Sequence, residues 1–331
     1  MTILVTGGAG YIGSHMVHDL VDAGESVVVL DNLSTGFRFL IPSAVTFVAG
    51  STGDRALVTK TIAQHAITAI IHFAASIVVP ESVADPLAYY RNNTMNTCTL
   101  LDCAAEAGVK QFIFSSTAAV YGNPDQVPVR EDAPTPPISP YGSSKLMSEI
   151  MLHDAGRAYG VNFVVFRYFN VAGADPNHRT GQSTPAATHL IKVACEAALG
   201  KRPKMNVFGT DYPTPDGTCI RDYIHVSDLA RAHSAALAYL RRGGESTTFN
   251  CGYGRGASVL EVIDAVKRKS GRDFAVEIGG RRAGDPASLV ADVSRIRSTL
   301  DWRPRYENLD TIVAHALAWE QLLAKRKTAA A

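Results

Sequence analysis

A glycine-rich segment, TGGAGYIG at residues 6–13, directly follows the first apolar run of the chain. Gly7, Gly10 and Gly13 have the spacing G-x-x-G-x-x-G. Glycines at this spacing allow a tight strand-to-helix turn and let backbone N–H groups approach a pyrophosphate, where the helix N-terminus adds a partial positive charge. The segment therefore predicts a dinucleotide-binding turn, which only a strand–turn–helix unit can provide.

The first half of the chain alternates apolar runs with amphipathic stretches. Strands are predicted at 2–6, 27–30, 45–48, 69–73, 112–115 and 163–168, and helices from about Tyr11, Arg55, Pro86 and Tyr141. The runs are continuously apolar, which is typical of strands covered on both faces. The pattern predicts an α/β fold of the Rossmann class, a doubly wound parallel sheet.

The regular alternation fades after about Asn170. We predict a dinucleotide-binding domain over 1–170, with a return segment at about 220–245, and a smaller C-terminal α/β substrate domain over 171–331. Helices are predicted there at about 188–199, ended by Gly200, and from Ser227 or Asp228, as candidate caps, to Arg241. Two more are predicted from Ser258 to Ser270 and at about 309–325.

Composition excludes several classes of function. Lys plus Arg is 32 and Asp plus Glu is 31, so a net charge of +1 gives no electrostatic basis for binding nucleic acid or an anionic membrane. The five cysteines include no C-x-x-C, which favours reduced thiols in the cytoplasm. The histidines are scattered, so no metal site is expected, and His72 and His225 are predicted to be interior residues. We expect neither a leader segment nor a membrane span.

Asp31 ends the second predicted strand. A carboxylate at that point accepts hydrogen bonds from the adenosine ribose and repels a 2′-phosphate. The position therefore favours NAD over NADP.

Tyr141 and Lys145 form a Y-x-x-x-K pair at the start of a predicted helix, so their side chains share one face. A free tyrosine has a pKa near ~10 and is a poor base at neutral pH. A neighbouring ammonium and a cationic nicotinamide ring both favour the tyrosinate. The pair follows a strand ending Ser115-Ser116-Thr117, where a second active-site hydroxyl is expected.

Together these motifs resemble the extended short-chain dehydrogenase/reductases that act on nucleotide sugars. The resemblance continues through RYFNVAGA at 167–174, FGTDYPTPDGT at 208–218, RDYIHV at 221–226 and RRAGD at 281–285, and these blocks are similar to those of the UDP-glucose 4-epimerase family. It implies that bound NAD takes a hydride from C4 of the hexose while Tyr141 takes the 4-hydroxyl proton. The 4-keto sugar then turns over, and hydride returns to its other face, so that UDP-glucose and UDP-galactose interconvert.

The resemblance also assigns roles to residues. The catalytic residues implied are Tyr141, Lys145 and Thr117. The NAD-binding residues implied are Gly7, Gly10, Tyr11, Ile12, Gly13, Asp31, Asn32, Leu33, Ser34, Thr35, Gly36, Phe73, Ala74, Ala75, Ser76, Ile77, Asn92, Lys145 and Phe169. The residues implied to hold the UDP-sugar are Thr117, Tyr141, Asn170, His189, Leu190, Asn206, Val207, Phe208, Arg221, Arg282 to Asp285 and Leu289. The arginines suit a diphosphate on chemical grounds, because guanidinium groups form paired hydrogen bonds with its oxygens.

Some positions depart from the family pattern. Gly50 is followed by Ser51 where many members carry an adenine-binding Asp, Ile77 replaces a Lys near the nicotinamide ribose, and Pro80 replaces a Gly. Leu289 stands where some members restricted to non-acetylated hexoses have a bulky Tyr, so N-acetylhexosamine nucleotides are predicted to fit as well.

Other functions remain open from the sequence. A 4,6-dehydratase or decarboxylase would need a carboxylate where the chain has Ala118 and Ala119, so the sequence disfavours both of these activities. A 4-epimerase of another UDP-sugar (N-acetylglucosamine, pentose or glucuronate) and a non-catalytic NAD-binding protein are alternatives. By the same resemblance we expect a homodimer formed by helices at about 87–107 and 141–159.

Overall fold

The computed structural model describes residues 1–185, 187–282 and 284–329. Ala283, which the resemblance places in the substrate site, lies outside the described residues. The strands are β1 Thr2–Thr6, β2 Ser26–Asp31, β3 Thr46–Ala49, β4 Ile67–His72, β5 Gln111–Thr117, β6 Asn162–Tyr168, β7 Asn170–Ala172, β8 Lys204–Phe208, β9 Ile220–His225, β10 Thr247–Cys251, β11 Gly256–Ser258, β12 Ala275–Gly279 and β13 Ser288–Leu289. The helices are α1 Tyr11–Asp22, α2 Arg55–Gln64, α3 Val79–Ala84, α4 Pro86–Tyr89, α5 Asn96–Glu106, α6 Pro140–Tyr159, α7 Leu190–Ala198, α8 Val226–Arg241, α9 Val259–Ser270, α10 Ser294–Thr299 and α11 Leu309–Ala329.

Seven parallel strands form the central sheet, in the order β10-β6-β5-β4-β1-β2-β3. This confirms the predicted doubly wound fold. The order reverses between β1 and β4, and in such sheets ligands bind in the crevice beyond the carboxyl ends of the strands at that point. The edge strand β10 was not predicted, because its sequence TTFNC has only one large apolar residue.

The continuous apolar runs are explained by burial on both faces of the sheet. In β1, Ile3 and Val5 face one hydrophobic cluster and Leu4 faces the other. Helices α1 and α8 pack together on the first face, and α2, α5 and α6 cover the second. The carboxyl ends of β1, β4 and β5 therefore lie side by side at one edge of the sheet.

The remaining strands form two small sheets. β9 pairs with β11, β13 and β7, while β8 pairs with β12. Helices α7, α9 and α11 pack against one another beside these sheets. The boundary between two domains near residue 170 stays a prediction.

Several local predictions can be compared with these elements. Ser258 caps α9 in a capping box with Glu261, as predicted. The predicted cap of α8 was wrong, because His225 occupies the cap position and its Nδ1 accepts from the Ser227 N–H at 3.1 Å. The predicted helix at 87–107 is interrupted by a π-helical turn, Tyr90–Met95.

The structure confirms that His72 is an interior residue. Its ring lies between the hydroxyls of Thr6 and Thr97, at 2.6 and 2.8 Å. His225 is also buried and contacts His315 at 2.9 Å. In the part of the chain that the structure describes, no helix combines the length and apolar character needed to cross a membrane.

Candidate active site

The glycine-rich turn between β1 and α1 leaves no room for a side chain at Gly7 or at Gly13. Gly7 has φ +70°, and a Cβ on it would lie 2.5 Å from the backbone nitrogen of Ala74. A Cβ on Gly13 would lie 2.1 Å from the Gly7 carbonyl oxygen. Gly10 precedes α1 and has no side chain to cap it. The N-terminal N–H groups of α1 are therefore free of a capping side chain, as a pyrophosphate-binding helix requires.

Asp31 connects this turn to the loop after β2. Its carboxylate accepts hydrogen bonds from the Ala9 N–H at 2.9 Å and the Leu33 N–H at 2.8 Å. Phe37 donates its N–H to the Ala9 carbonyl at 2.9 Å, so residues 31–36 lie against the glycine turn. A carboxylate has about four acceptor positions, so two remain for the ribose hydroxyls that Asp31 was predicted to bind.

The segment after β4 forms the other wall. Phe73 donates its N–H to the Thr6 carbonyl at 3.0 Å, and Asn92 donates to the Ser76 hydroxyl at 2.9 Å. Asn93, which sequence reasoning missed, accepts from the Ser76 N–H at 2.8 Å and donates to the Ser144 hydroxyl on α6 at 3.0 Å. The predicted cofactor-binding segments around Gly7, Asp31 and Phe73 are thus brought together in the crevice.

Tyr141 lies in the first turn of α6 and is buried. Its phenol forms a hydrogen bond with Thr117, at the end of β5. Burial raises the pKa of Tyr141 to about 12, and the Thr117 hydrogen bond opposes that rise. The structure therefore pairs the predicted base with the predicted second hydroxyl, but leaves the phenol protonated at neutral pH.

Lys145 lies one turn further along α6. Its Nζ donates to the Ser115 carbonyl at 2.9 Å and lies 4.8 Å from the centre of the Phe114 ring. Burial lowers the pKa of Lys145 to about 7, and the nearby carboxylate of Glu149 raises it. Lys145 is thus close to the point at which it gains or loses its charge in the physiological range.

Tyr168 is a further residue that sequence reasoning did not assign. It hydrogen-bonds Ser115, lies next to Tyr141, and has its own pKa raised by burial. Phe169 follows it, is buried, and donates its N–H to the Cys251 carbonyl at 3.3 Å. The RYFN block was the only signal for Tyr168, because a buried strand tyrosine has no distinctive spacing.

The predicted substrate residues fall into two groups around β9. Asn170 on β7 is in register with Tyr223, and Leu289 on β13 is in register with Arg221. Asn170, His189 and Leu190 line one cavity with Tyr223 and Trp319.

The second group carries positive charge. Arg221 forms an ion pair with Asp285 at 3.6 Å and donates to the Pro286 carbonyl at 2.8 Å. The Arg282 guanidinium lies 3.6 Å from the centre of the Phe208 ring, which follows Asn206 and Val207 on β8. An aromatic ring beside guanidinium groups suits a base and its diphosphate. Within the described residues, no group of three His, Cys, Asp or Glu side chains could hold a metal ion.

The fold, the glycine turn and the Tyr-x-x-x-Lys pair define a class of NAD-linked enzymes. The family model described as "NAD dependent epimerase/dehydratase family" matches residues 3–252. The chain therefore belongs to this family.

Relatives give a finer similarity. The chain is 60% identical to the UDP-glucose 4-epimerase of Azospirillum brasilense over 321 residues, covering 97% of this chain and 92% of the relative. The crystal structure of UDP-glucose 4-epimerase from Brucella ovis in complex with NAD matches at 45% identity and TM-score 0.93, covering 96% of this chain and 97% of that one. The UDP-Glc/GlcNAc 4-epimerase of Campylobacter jejuni matches at 50% identity and TM-score 0.86, covering 97% and 99%.

Proposed function

We propose that this protein interconverts UDP-glucose and UDP-galactose by epimerisation at C4, with NAD as a resident cofactor. The observation that carries the proposal is the hydrogen-bonded pair of Tyr141 and Thr117, held at the sheet edge that also carries the glycine turn. The high identity to named UDP-glucose 4-epimerases over nearly the whole chain supports the same reaction.

Bound NAD supplies a reversible hydride acceptor at C4. Tyr141 removes the 4-hydroxyl proton as the C4–H bond breaks, and returns it when the C–H bond forms on the opposite face. Thr117 donates a hydrogen bond to the 4-oxygen and keeps it at the phenol. Arg221 and Arg282 bind the diphosphate while the keto sugar turns over, and Asp31 binds the adenosine ribose.

The test uses the purified protein with UDP-galactose and no added NAD. We expect UDP-glucose to form, because the cofactor remains bound through the cycle and is not consumed. Tyr141→Phe, carrying NAD, serves as the inactive control. Failure to turn over UDP-galactose, with NAD recovered from the denatured protein, would contradict the proposed substrate. A protein that neither retains nor takes up NAD would support the non-catalytic alternative instead.

A second activity, on N-acetylated hexose nucleotides, is favoured by one position. Leu289 is half-buried on β13 beside Arg221, and the Campylobacter jejuni relative is named for both glucose and N-acetylglucosamine. We expect UDP-N-acetylglucosamine to be epimerised, and Leu289→Tyr to reduce that activity by roughly 10–200-fold, as one pocket contact allows. UDP-galactose turnover by the same variant is the control. Absence of any product from the N-acetylated substrate would exclude this activity.

We also propose a cytoplasmic homodimer that pairs the helical segment at 87–107 and α6 of two subunits. Apolar side chains in these segments are exposed: Leu87 62%, Met95 62%, Met147 43% and Ile150 53%. Burial of these side chains in a second copy would stabilise association. Light scattering should give twice the chain mass, and Ile150→Glu should give a monomer. Ile278→Glu, at a more exposed position on β12, should leave the dimer intact.

A further inference from the structure

A buried ion pair lies one helical turn beyond Lys145 on α6. It joins Glu149 on α6 to Arg167 on β6, whose relative exposures are 2% and 8%. The Arg167 Nη2 donates to the Glu149 Oε2 at 2.6 Å, and Nε donates to both carboxylate oxygens at 3.1 Å. The Ser116 hydroxyl also donates to Glu149. The carboxylate is therefore fixed in position by three donor groups.

The location of Glu149 relates it to the reacting residues. Tyr141, Lys145 and Glu149 are spaced four residues apart, so they form one row along α6. This row contacts three consecutive residues at the end of β5. Tyr141 contacts Thr117, Lys145 contacts the Ser115 carbonyl and Glu149 contacts Ser116. Along α6, Lys145 therefore lies one turn after Tyr141 and one turn before Glu149.

We propose that Glu149 is a positioning residue whose fixed carboxylate keeps Lys145 in the ammonium form beside Tyr141. This inference rests on the proposed function, in which Tyr141 is the base and the ammonium makes its proton easier to remove. Arg167 and Ser116 hold the carboxylate in place.

The charges around the row agree with this role. Burial lowers the pKa of Lys145 to about 7, and the carboxylate of Glu149 opposes that effect. His72 also faces Lys145, but burial lowers the pKa of His72 to about 3, so its ring is neutral. Tyr121 and His153 face Glu149 along with Arg167. Glu149 is therefore the anion that raises the pKa of Lys145, and removal of its charge would lower that pKa further.

The test compares Glu149→Gln, Arg167→Gln and the double variant, each as the NAD-loaded protein. Glu149→Gln keeps the shape of the side chain and one acceptor oxygen but removes the charge. The double variant removes both charges, so no buried ion is left unpaired and folding is preserved. Ionisation of Tyr141 is followed by ultraviolet difference absorbance against the same proteins carrying Tyr141→Phe, which requires no substrate.

In Glu149→Gln and in the double variant we expect Tyr141 to ionise at least about one pH unit higher, a tenfold change in the equilibrium. Lys145 should lose its proton at lower pH in the same variants, so the alkaline limb of the pH–rate profile should also move to lower pH. In Arg167→Gln the carboxylate remains, so the titration should stay within about half a unit of the wild type. Equal effects of the two single variants, or a double variant that titrates like the wild type, would show a purely structural ion pair. If the wild-type protein shows no epimerase activity, the proposed function is overturned. The titration of Tyr141 can still be measured in that case, because it requires no substrate.

Discussion

Tyr141 lies in surroundings that by themselves oppose its proposed role as a base. Burial raises the pKa of Tyr141 to about 12, while a general base works best with a pKa near the working pH. The Thr117 hydrogen bond offsets only part of this rise. In the proposed mechanism, the remaining stabilisation of the tyrosinate comes from the positive charges of Lys145 and of the nicotinamide ring of bound NAD.

Removal of the hydroxyl of Tyr141 or of Thr117 should lower the reaction rate without releasing the bound NAD. Tyr141→Phe should reduce turnover about 10²–10⁴-fold, the range of general acid–base catalysis, while NAD stays bound. Thr117→Val should also lower the maximal rate, because the hydroxyl that orients the 4-oxygen is lost. Thr117→Ser keeps that hydroxyl and should retain most of the activity. Steady-state rates and cofactor content of the four proteins provide the measurement, and full activity of Thr117→Val would contradict the role of the hydroxyl.

At the scale of elements, the turn between β1 and α1 depends on close backbone contact. The Gly7 and Gly13 backbones approach each other so closely that a Cβ on Gly13 would overlap the Gly7 carbonyl. The end of β1 also lies against the segment after β4, through the Thr6 carbonyl and the Phe73 N–H. The turn therefore has a single shape, and that shape orients the N-terminus of α1 toward the crevice.

Gly13→Ala should consequently release the cofactor. The added methyl group would displace the Gly7 carbonyl and with it the N–H groups at the start of α1. We expect the purified variant to contain little NAD, measured from the absorbance of the denatured supernatant. Gly280→Ala is a matched control, because its new Cβ would have no neighbour within 4 Å and its φ is not positive. Equal cofactor content in the two variants would rule out this account of the turn.

At the scale of the whole molecule, buried histidines link stability to pH. Burial lowers the pKa of His15 to about 4, of His72 to about 3 and of His233 to about 4. In the unfolded chain these residues titrate near ~6.5, so between these pH values the unfolded state binds more protons. Asp222 acts in the opposite direction, because burial raises its pKa to about 6.

The free energy of unfolding should therefore fall as the pH decreases from about 6.5 toward 4. Each uncompensated histidine contributes about 1.4 kcal/mol per pH unit, and Asp222 offsets about one histidine's contribution over the lower part of the range. Chemical denaturation at several pH values gives the slope. His15→Leu should reduce that slope by about one histidine's contribution, whatever its effect on stability at neutral pH. An unchanged slope would show that His15 does not titrate as a buried group.

The amino-acid sequence by itself determined the parallel sheet and the glycine turn, and it made Tyr141 and Lys145 candidate catalytic residues. These features depend on neighbours close along the chain: apolar runs, glycine spacing and a four-residue helical repeat. The family blocks added candidate UDP-sugar residues whose roles remain proposals.

Tertiary structure decided what depends on distant segments coming together. Strand β10 pairs with β6 and completes the central sheet, although its sequence has weak strand character. Helix α8 is capped by His225, because the Asp228 carboxylate instead accepts hydrogen bonds from the Tyr253 hydroxyl and from the backbone N–H groups of residues 305 and 306. Asn93 and the Glu149–Arg167 pair are also defined only by the folded chain. Burial, which shifts the pKa of both Tyr141 and Lys145, is a property of the whole packed molecule, so no local pattern in the sequence could predict it.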